Sequence, residues 1–284
     1  MRKIAFVLAV VMLIGICPLP ISAEETTPDK DFAYVKAIAL LEHLGVKAFS
    51  TEKKVTYNSF IDALYIALDG KKMMLDIKAL AGLNFSDEYG NNEMTFNDAV
   101  KSLVNITGYK IEAEAGGGSA PVYVNIARTK GILSGVGSKS GAVTSRDAAV
   151  LIYNALNTDV LKLKFSGSRT EYESKKGETL LYLYRGIKKG SGIVTANEYS
   201  GLFSENGAPK GMVMIDGALY NDPQQYATDY LGYRIEYFYY DNNTEDDEIY
   251  LTILEINKNE VTEIDDNFSR KIGRRIYYYN ENEK

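Results

Sequence analysis

The residues of this 284-residue chain that could do chemistry are few, and their spacing points away from catalysis. Its one histidine, His43, lies in the run Leu41-Glu42-His43-Leu44-Gly45, at what reads as the last turn of a helix. A zinc site needs three or four ligands, usually several His or Cys. A Ser-His-Asp triad needs its histidine positioned beside a nucleophile. Neither pattern surrounds His43, whose expected role is to face a helix C-terminal dipole. Asp241 to Asp247 carries acids at alternate positions, as calcium loops do, but lacks the central glycine and the twelfth-position Glu. It is expected to be a solvated hairpin tip. No motif singles out a pair of carboxylates for glycoside hydrolysis, so no enzyme activity, cofactor or metal is expected. The 22 tyrosines, in a chain without tryptophan, suit either stacking on sugar rings or packing in β-sheets.

The elements that would position these residues are announced by a threefold repeat. Val55-Thr56-Tyr57-Asn58-Ser59, Met94-Thr95-Phe96-Asn97-Asp98 and Val143-Thr144-Ser145-Arg146-Asp147 each place a threonine directly before an amphipathic run. Thr56, Thr95 and Thr144 are therefore predicted helix N-caps, with the polar residue three places on completing a variant capping box. Upstream, Gly45, Gly82 and Gly131 stand 11, 13 and 13 residues before their threonines, each followed by an apolar residue. That is the pattern of a left-handed C-cap with a hydrophobic contact. Five residues beyond the caps lie Ile61, Val100 and Ala149, and eight beyond lie Leu64, Leu103 and Ile152, one buried stripe per helix. Glu112 to Ala120 widens the last interval and is expected to be a flexible inserted loop. Its Gly116–Gly118 run lacks the strand-then-helix context of a phosphate cradle.

Helix, glycine stop, loop, threonine start and second helix, three times over, resembles the S-layer homology (SLH) module. Such modules fasten exported proteins non-covalently to the cell-wall polysaccharide of many bacteria, Gram-positives above all. Ala127 to Gly135 (ARTKGILSG) and Thr144 to Asn157 (TSRDAAVLIYNALN) carry the likeness best, followed by Met94 to Tyr109 (MTFNDAVKSLVNITGY). The resemblance implies three units at about 32–70, 71–110 and 120–160, packed about a pseudo-threefold axis. In the family the loop-helix junction reads I-T-R-A-E, and its arginine contacts anionic polymer. Here that position holds Tyr57, Phe96 and Ser145, and Arg146 follows one residue late. The expected polymer-binding residues are therefore Arg146 and Ser145, with the backbone after Gly131 in the same groove. A planar guanidinium at a helix N-terminus suits an anion.

The amino terminus indicates destination. Met1-Arg2-Lys3, the apolar run Ile4 to Ile16, Pro18 and Pro20, and Ile21-Ser22-Ala23 form a predicted signal peptide cut after Ala23. The run is shorter than a membrane span of about 20 residues, and Ile16 before Cys17 argues against lipidation. Cys17, the only cysteine, would leave with the signal, so the mature chain is expected to have no disulfide. The 32 basic and 38 acidic residues become 30 and 38 once Arg2 and Lys3 are gone, a net charge of −8. That balance argues against nucleic acid as a partner.

Residues 24–31 read as a flexible polar leader. From about Leu161 onwards, alternation replaces the helical period, and Asp216-Gly217 is a strong two-residue hairpin turn between apolar runs. The expected architecture is α+β: an N-terminal all-α bundle of three helix-hairpin modules (32–160), then a small antiparallel β domain (161–284). The expected protein sits at the cell surface, in the cell wall, and displays that β domain. Its partner is either secondary cell-wall polysaccharide or another surface protein in an assembly.

Overall fold

The structure, a computed structural model, describes residues 28–278 except 48, 50–54, 74–75, 84–85, 87–88, 138–139, 167–168, 204–206, 242–246, 255–258, 260–268 and 273–274. The expected signal peptide, Glu24 to Thr27 of the leader, and most of the acidic segment lie outside the described residues. Among the described residues no helix is long and apolar enough to cross a membrane.

Among the described residues eight α-helices precede the first strand: α1 (Pro28–His43), α2 (Tyr57–Ala67), α3 (Gly70–Met73), α4 (Ile77–Ala81), α5 (Phe96–Ile106), α6 (Lys110–Ala115), α7 (Ala120–Thr129) and α8 (Ser145–Leu156). The three threonines start α2, α5 and α8. Thr56, Thr95 and Thr144 each accept the backbone N–H three residues on through Oγ1, at 3.1–3.2 Å. At Thr56 the box is reciprocal, since Ser59 Oγ accepts the Thr56 N–H at 2.9 Å. At the other two the cap hydroxyl donates to Asp98 (2.8 Å) or Asp147 (3.0 Å). The glycine stops are alike too. Gly45, Gly82 and Gly131 have positive φ, and the next N–H reaches back five residues: Val46 to Leu41, Leu83 to Lys78, Ile132 to Ala127. That is the Schellman closure, which satisfies the last carbonyls of each helix.

The three loop-helix junctions lie side by side. Met94 N–H donates to Val55 O at 2.8 Å and Val143 N–H to Met94 O at 2.9 Å, with antiparallel bridges Thr56–Glu93 and Thr95–Ala142. Val55, Met94 and Val143 are buried beneath this strip. The pairing brings the N-termini of α2, α5 and α8 to one edge.

The expectation of a self-contained N-terminal bundle of three helix hairpins is corrected here. The helices pair across units: α1 packs against α8, and α7 against α5. The first helix of the second unit is only the five-residue α4. Nor is the helical core closed by helices, because it runs on into Leu180, Leu181, Ile187, Phe238 and Ile253 of the following segment. Short hairpins of this size expose too much apolar surface to finish a core alone.

Two other expectations change. Pro28–Asp31, assigned to the leader, form the first turn of α1, where proline at the helix start is preorganised. Glu112–Ala115, assigned to a flexible loop, belong to α6. Alternating Glu and Ala are good helix formers, and Glu112 and Glu114 pair with Lys130 (3.6 Å) and Lys110 (3.5 Å).

Beyond α8, β1 (Asp159–Ser166) and β2 (Arg169–Thr179) form a two-stranded ribbon, followed by α9 (Leu180–Arg185). Then β3 (Ile187–Ala196), β4 (Met212–Ile215), β5 (Ala218–Asn221), β6 (Arg234–Tyr240) and β7 (Glu248–Leu254) close a barrel in the order β3-β4-β5-β7-β6. The sheet is not purely antiparallel, since β5 and β7 pair in parallel through Asn221 and Glu248. Five strands closed with Greek-key connectivity give the topology of an OB-type barrel. Asp216 and Gly217 both have positive φ in the β4–β5 hairpin, as a type I′ turn requires. A last hairpin joins β8 (Ser269–Ile272) and β9 (Arg275–Tyr278).

Barrel and helices are locked together through Glu236 of β6, which is 4% exposed. Its carboxylate takes Lys189 of β3 at 2.9 Å, Lys36 of α1 at 3.2 Å and the Tyr153 hydroxyl of α8. Arg185 adds hydrogen bonds to Ala67 O (3.0 Å) and Ile66 O at the end of α2. His43 sits at the same seam. Tyr250 donates to its carbonyl at 2.9 Å, and the rings of Tyr250 and Tyr226 meet its imidazole edge-on. Partial burial lowers the His43 pKa from its ordinary value of 6.5.

Burial alone would raise the Glu236 pKa, but Lys189, the Tyr153 hydroxyl and Lys36 outweigh it and the net shift is downward. A carboxyl depressed in the fold adds stability above its ordinary value of 4.5 and loses it as pH falls through the folded value. Glu236→Ala should therefore cost about 3–5 kcal/mol at neutral pH by stranding two lysines, measured by urea unfolding. Glu236→Gln should flatten the acid limb of the stability curve. Thr144→Ala should cost about 1 kcal/mol in the same assay.

Candidate functional site

The strip of junctions opens a cleft of about 450 Å³ between the first two units, lined by Tyr57, Gly82, Leu83, Ser86, Tyr89, Asp98 and Lys101. Each residue is placed by a local device already described. Tyr57 is the first residue of α2 and Asp98 the third of α5, so the Thr56–Glu93 bridge sets one beside the other. The Gly82 turn forms the opposite wall and needs its glycine. A Cβ there would come within 2.5 Å of Asn105 Nδ2, which is bonded at 2.9 Å to Ala81 O. Tyr89 belongs to a short 3₁₀ turn, Tyr89–Asn91, and leans over Tyr57 with ring centroids 5.3 Å apart.

The chemistry of the cleft is mixed. Tyr57 is buried, and its hydroxyl donates to Asp98 Oδ2, which also accepts the Thr95 hydroxyl. Burial first, then the bond to the carboxylate, pushes the Tyr57 hydroxyl well above its ordinary pKa of 10.0. It is a protonated donor at any physiological pH. Tyr89 keeps half its surface in solvent, and the Lys101 side chain, also at the opening, has its ammonium 5.7 Å from the centre of the Tyr123 ring. An open aromatic face, a fixed carboxylate and a cation thus share one cleft. That set can take the apolar face of a sugar, its hydroxyls and an anionic substituent.

The residues expected to bind polymer are arranged differently. Phe96 and Ser145, like Tyr57, are buried at the first position of their helices. Arg146 pairs with Asp31 of α1, and its guanidinium lies 4.9 Å over the Tyr34 ring. The turn after Gly131 is fastened by Asn154 Nδ2, which donates to Ile132 O (2.9 Å) and Ser134 O (2.8 Å). Asn154 lies two turns along α8 from Arg146, about 12 Å on the helix axis. Farther on, the same loop returns to the start of α8, where Gly137 N–H donates to Asp147 Oδ1 at 2.8 Å beside Arg146.

Of the cleft residues, Tyr57 and Asp98 stood inside the repeated motif, visible as a substituted arginine position and a capping acid. Ser86, Tyr89 and Lys101 carried no signal, because only the pairing of junctions brings them there. Among the described residues no three His, Cys, Asp or Glu side chains gather as metal ligands. Compared with protein-family models, curated proteins and solved structures, the chain matches none.

Tyr57→Phe removes the side-chain bond from Tyr57 to Asp98 while keeping the ring. It should cost about 1.5–3 kcal/mol, the usual range for a hydrogen bond to a charged group. A hydroxyl whose pKa is raised in the fold stabilises fully below its ordinary value of 10.0 and progressively less above it. Urea midpoints of parent and variant should therefore differ at pH 7 and converge as pH rises past 10.

Proposed function

We propose that this chain is an exported cell-surface protein that holds wall polysaccharide in the Tyr57–Tyr89–Asp98–Lys101 cleft and presents the barrel outward. One observation carries this reading. The cleft lies where two repeat units meet, and it joins an aromatic face, a hydroxyl acceptor and a cation within one opening. The arginine absent from the SLH-like junction is replaced there by a tilted tyrosine pair and a lysine of α5. Arg146, committed to Asp31 and Tyr34, is a tie between α1 and α8 in this scheme. The predicted signal peptide and the acidic balance support the destination.

The test is co-sedimentation with purified wall sacculi, before and after the secondary polymers are stripped. The intact chain should sediment only with unstripped sacculi, and added salt should weaken binding because the lysine contact is solvent-exposed. Tyr89→Ala and Lys101→Ala should each lower affinity about tenfold, and Arg146→Ala should leave it unchanged. Failure to sediment with either preparation would overturn polymer binding and leave pairing with another surface protein as the reading to pursue.

A further inference from the structure

The barrel carries a second concavity, beside the loop that joins its first two strands. In such barrels the face of the second and third strands, with the loop joining the first two, holds an oligonucleotide or an oligosaccharide. Here that loop is 197–211, which leads from β3 to β4. Its described residues Phe203 and Gly207 line a cleft of about 730 Å³ together with Thr195, Ala196, Met214, Asp216 and Gly217. That volume is within the roughly 300–1,000 Å³ of small-ligand sites. Topology alone says where to look and nothing about function.

The residues say more. Phe203 is 82% exposed and Tyr199, on the same loop, 71%, an unusual amount of aromatic surface to leave in water. Asn197, buried, donates to Thr228 O at 2.9 Å and accepts the N–H groups of Tyr199 (3.0 Å) and Ser200 (2.9 Å). Leu202 N–H is bonded to Thr195 O at 2.9 Å, immediately before Phe203. On the return leg, a Cβ at Gly207 would meet Asn197 O at 2.4 Å, so the two legs touch through backbone. Residues 197–202 on one leg and 207–208 on the other are thus tied by backbone bonds beside the exposed rings.

Asp216 supplies the polar wall. Its Oδ1 accepts Ile193 N–H at 3.1 Å, and its Oδ2 lies over Gly192, where a Cβ would approach within 2.7 Å. Glu198 is anchored by Gly211 N–H at 2.9 Å, and Asp229 is close enough to act on Tyr199. Single-stranded nucleic acid needs a cationic track beneath its phosphates, and the described lining of the cleft carries Asp216 and no lysine or arginine. An exposed aromatic face opposite an oriented carboxylate suits a ring with one apolar face and a hydroxyl edge.

We infer that the Phe203–Asp216 cleft of the barrel binds a chain of uncharged pyranose sugars, as a site separate from the cleft between the repeat units. Phe203 is the stacking platform and Asp216 the hydroxyl acceptor. The test is calorimetric titration of the full chain with chitotetraose, cellotetraose and a dodecamer of deoxythymidine. At least one tetrasaccharide should bind. Phe203→Ala should weaken that binding about tenfold, in line with the loss of one aromatic stack, and Phe203→Tyr should retain it. Unchanged circular dichroism would show that the exposed ring is not needed for folding. Tyr57→Phe and Lys101→Ala, which test the other cleft, should leave tetrasaccharide binding intact, so either site can fail alone. Binding of neither sugar, sugar binding indifferent to Phe203→Ala, or tighter binding of the deoxythymidine dodecamer would each overturn the inference.

Discussion

Glu236 is almost wholly withdrawn from water, yet it meets a lysine of its own barrel, a lysine of the first helix and a tyrosine of the eighth. An ionised carboxylate in such a place is tolerable only if its charge and lone pairs are answered. The answer comes from three elements far apart in the chain, so the barrel, α1 and α8 have one mutual arrangement in which the carboxylate is satisfied. Arg185 and Tyr250, bonded to carbonyls at the ends of α2 and α1, act in the same sense with backbone acceptors. Around these polar anchors the apolar core runs without a break from the helical region into β3, β6 and β7.

The same logic governs the edge where the repeat units meet. Each threonine cap supplies the missing partner of a helix start, and its neighbouring backbone pairs with the junction beside it. A helix start thereby becomes a fixed point on which side chains of adjacent units converge. Tyr57 and Asp98 are paired because their caps are paired. The cleft is a consequence of the strip, and its glycine wall at Gly82 is required by the closeness of Asn105.

Much of the local structure was legible. The caps at Thr56, Thr95 and Thr144, the glycine closures, the apolar stripes and the Asp216-Gly217 turn all follow from interactions within a few residues, which sequence spacing reports directly. The misreadings share a cause. Glu112–Ala115 was judged by its glycine-rich sequel, although its own residues favour helix. Pro28–Asp31 was judged by polarity, although Asp31 finds Arg146 across 115 residues. The separate helical bundle was inferred from repetition, which reveals that units are alike and not which helices touch. As for the sites, spacing marked the arginine position but could not reveal that Arg146 is turned to Asp31, or that Tyr89 and Lys101 face Tyr57.

By itself, then, the sequence determined where the α2, α5 and α8 helices start, where the glycine closures end the helices before them, and which turn joins β4 to β5. These choices are settled by hydrogen bonds and backbone preferences over one or two turns of chain. The tertiary structure alone decided that α1 belongs against α8, that five strands close through a parallel β5–β7 pair, and that the helical core is completed by the barrel. Those outcomes depend on which apolar faces remain uncovered once all elements exist, and on a buried carboxylate that only distant lysines can satisfy. Both conditions are properties of the assembled chain, and no short window of residues contains them.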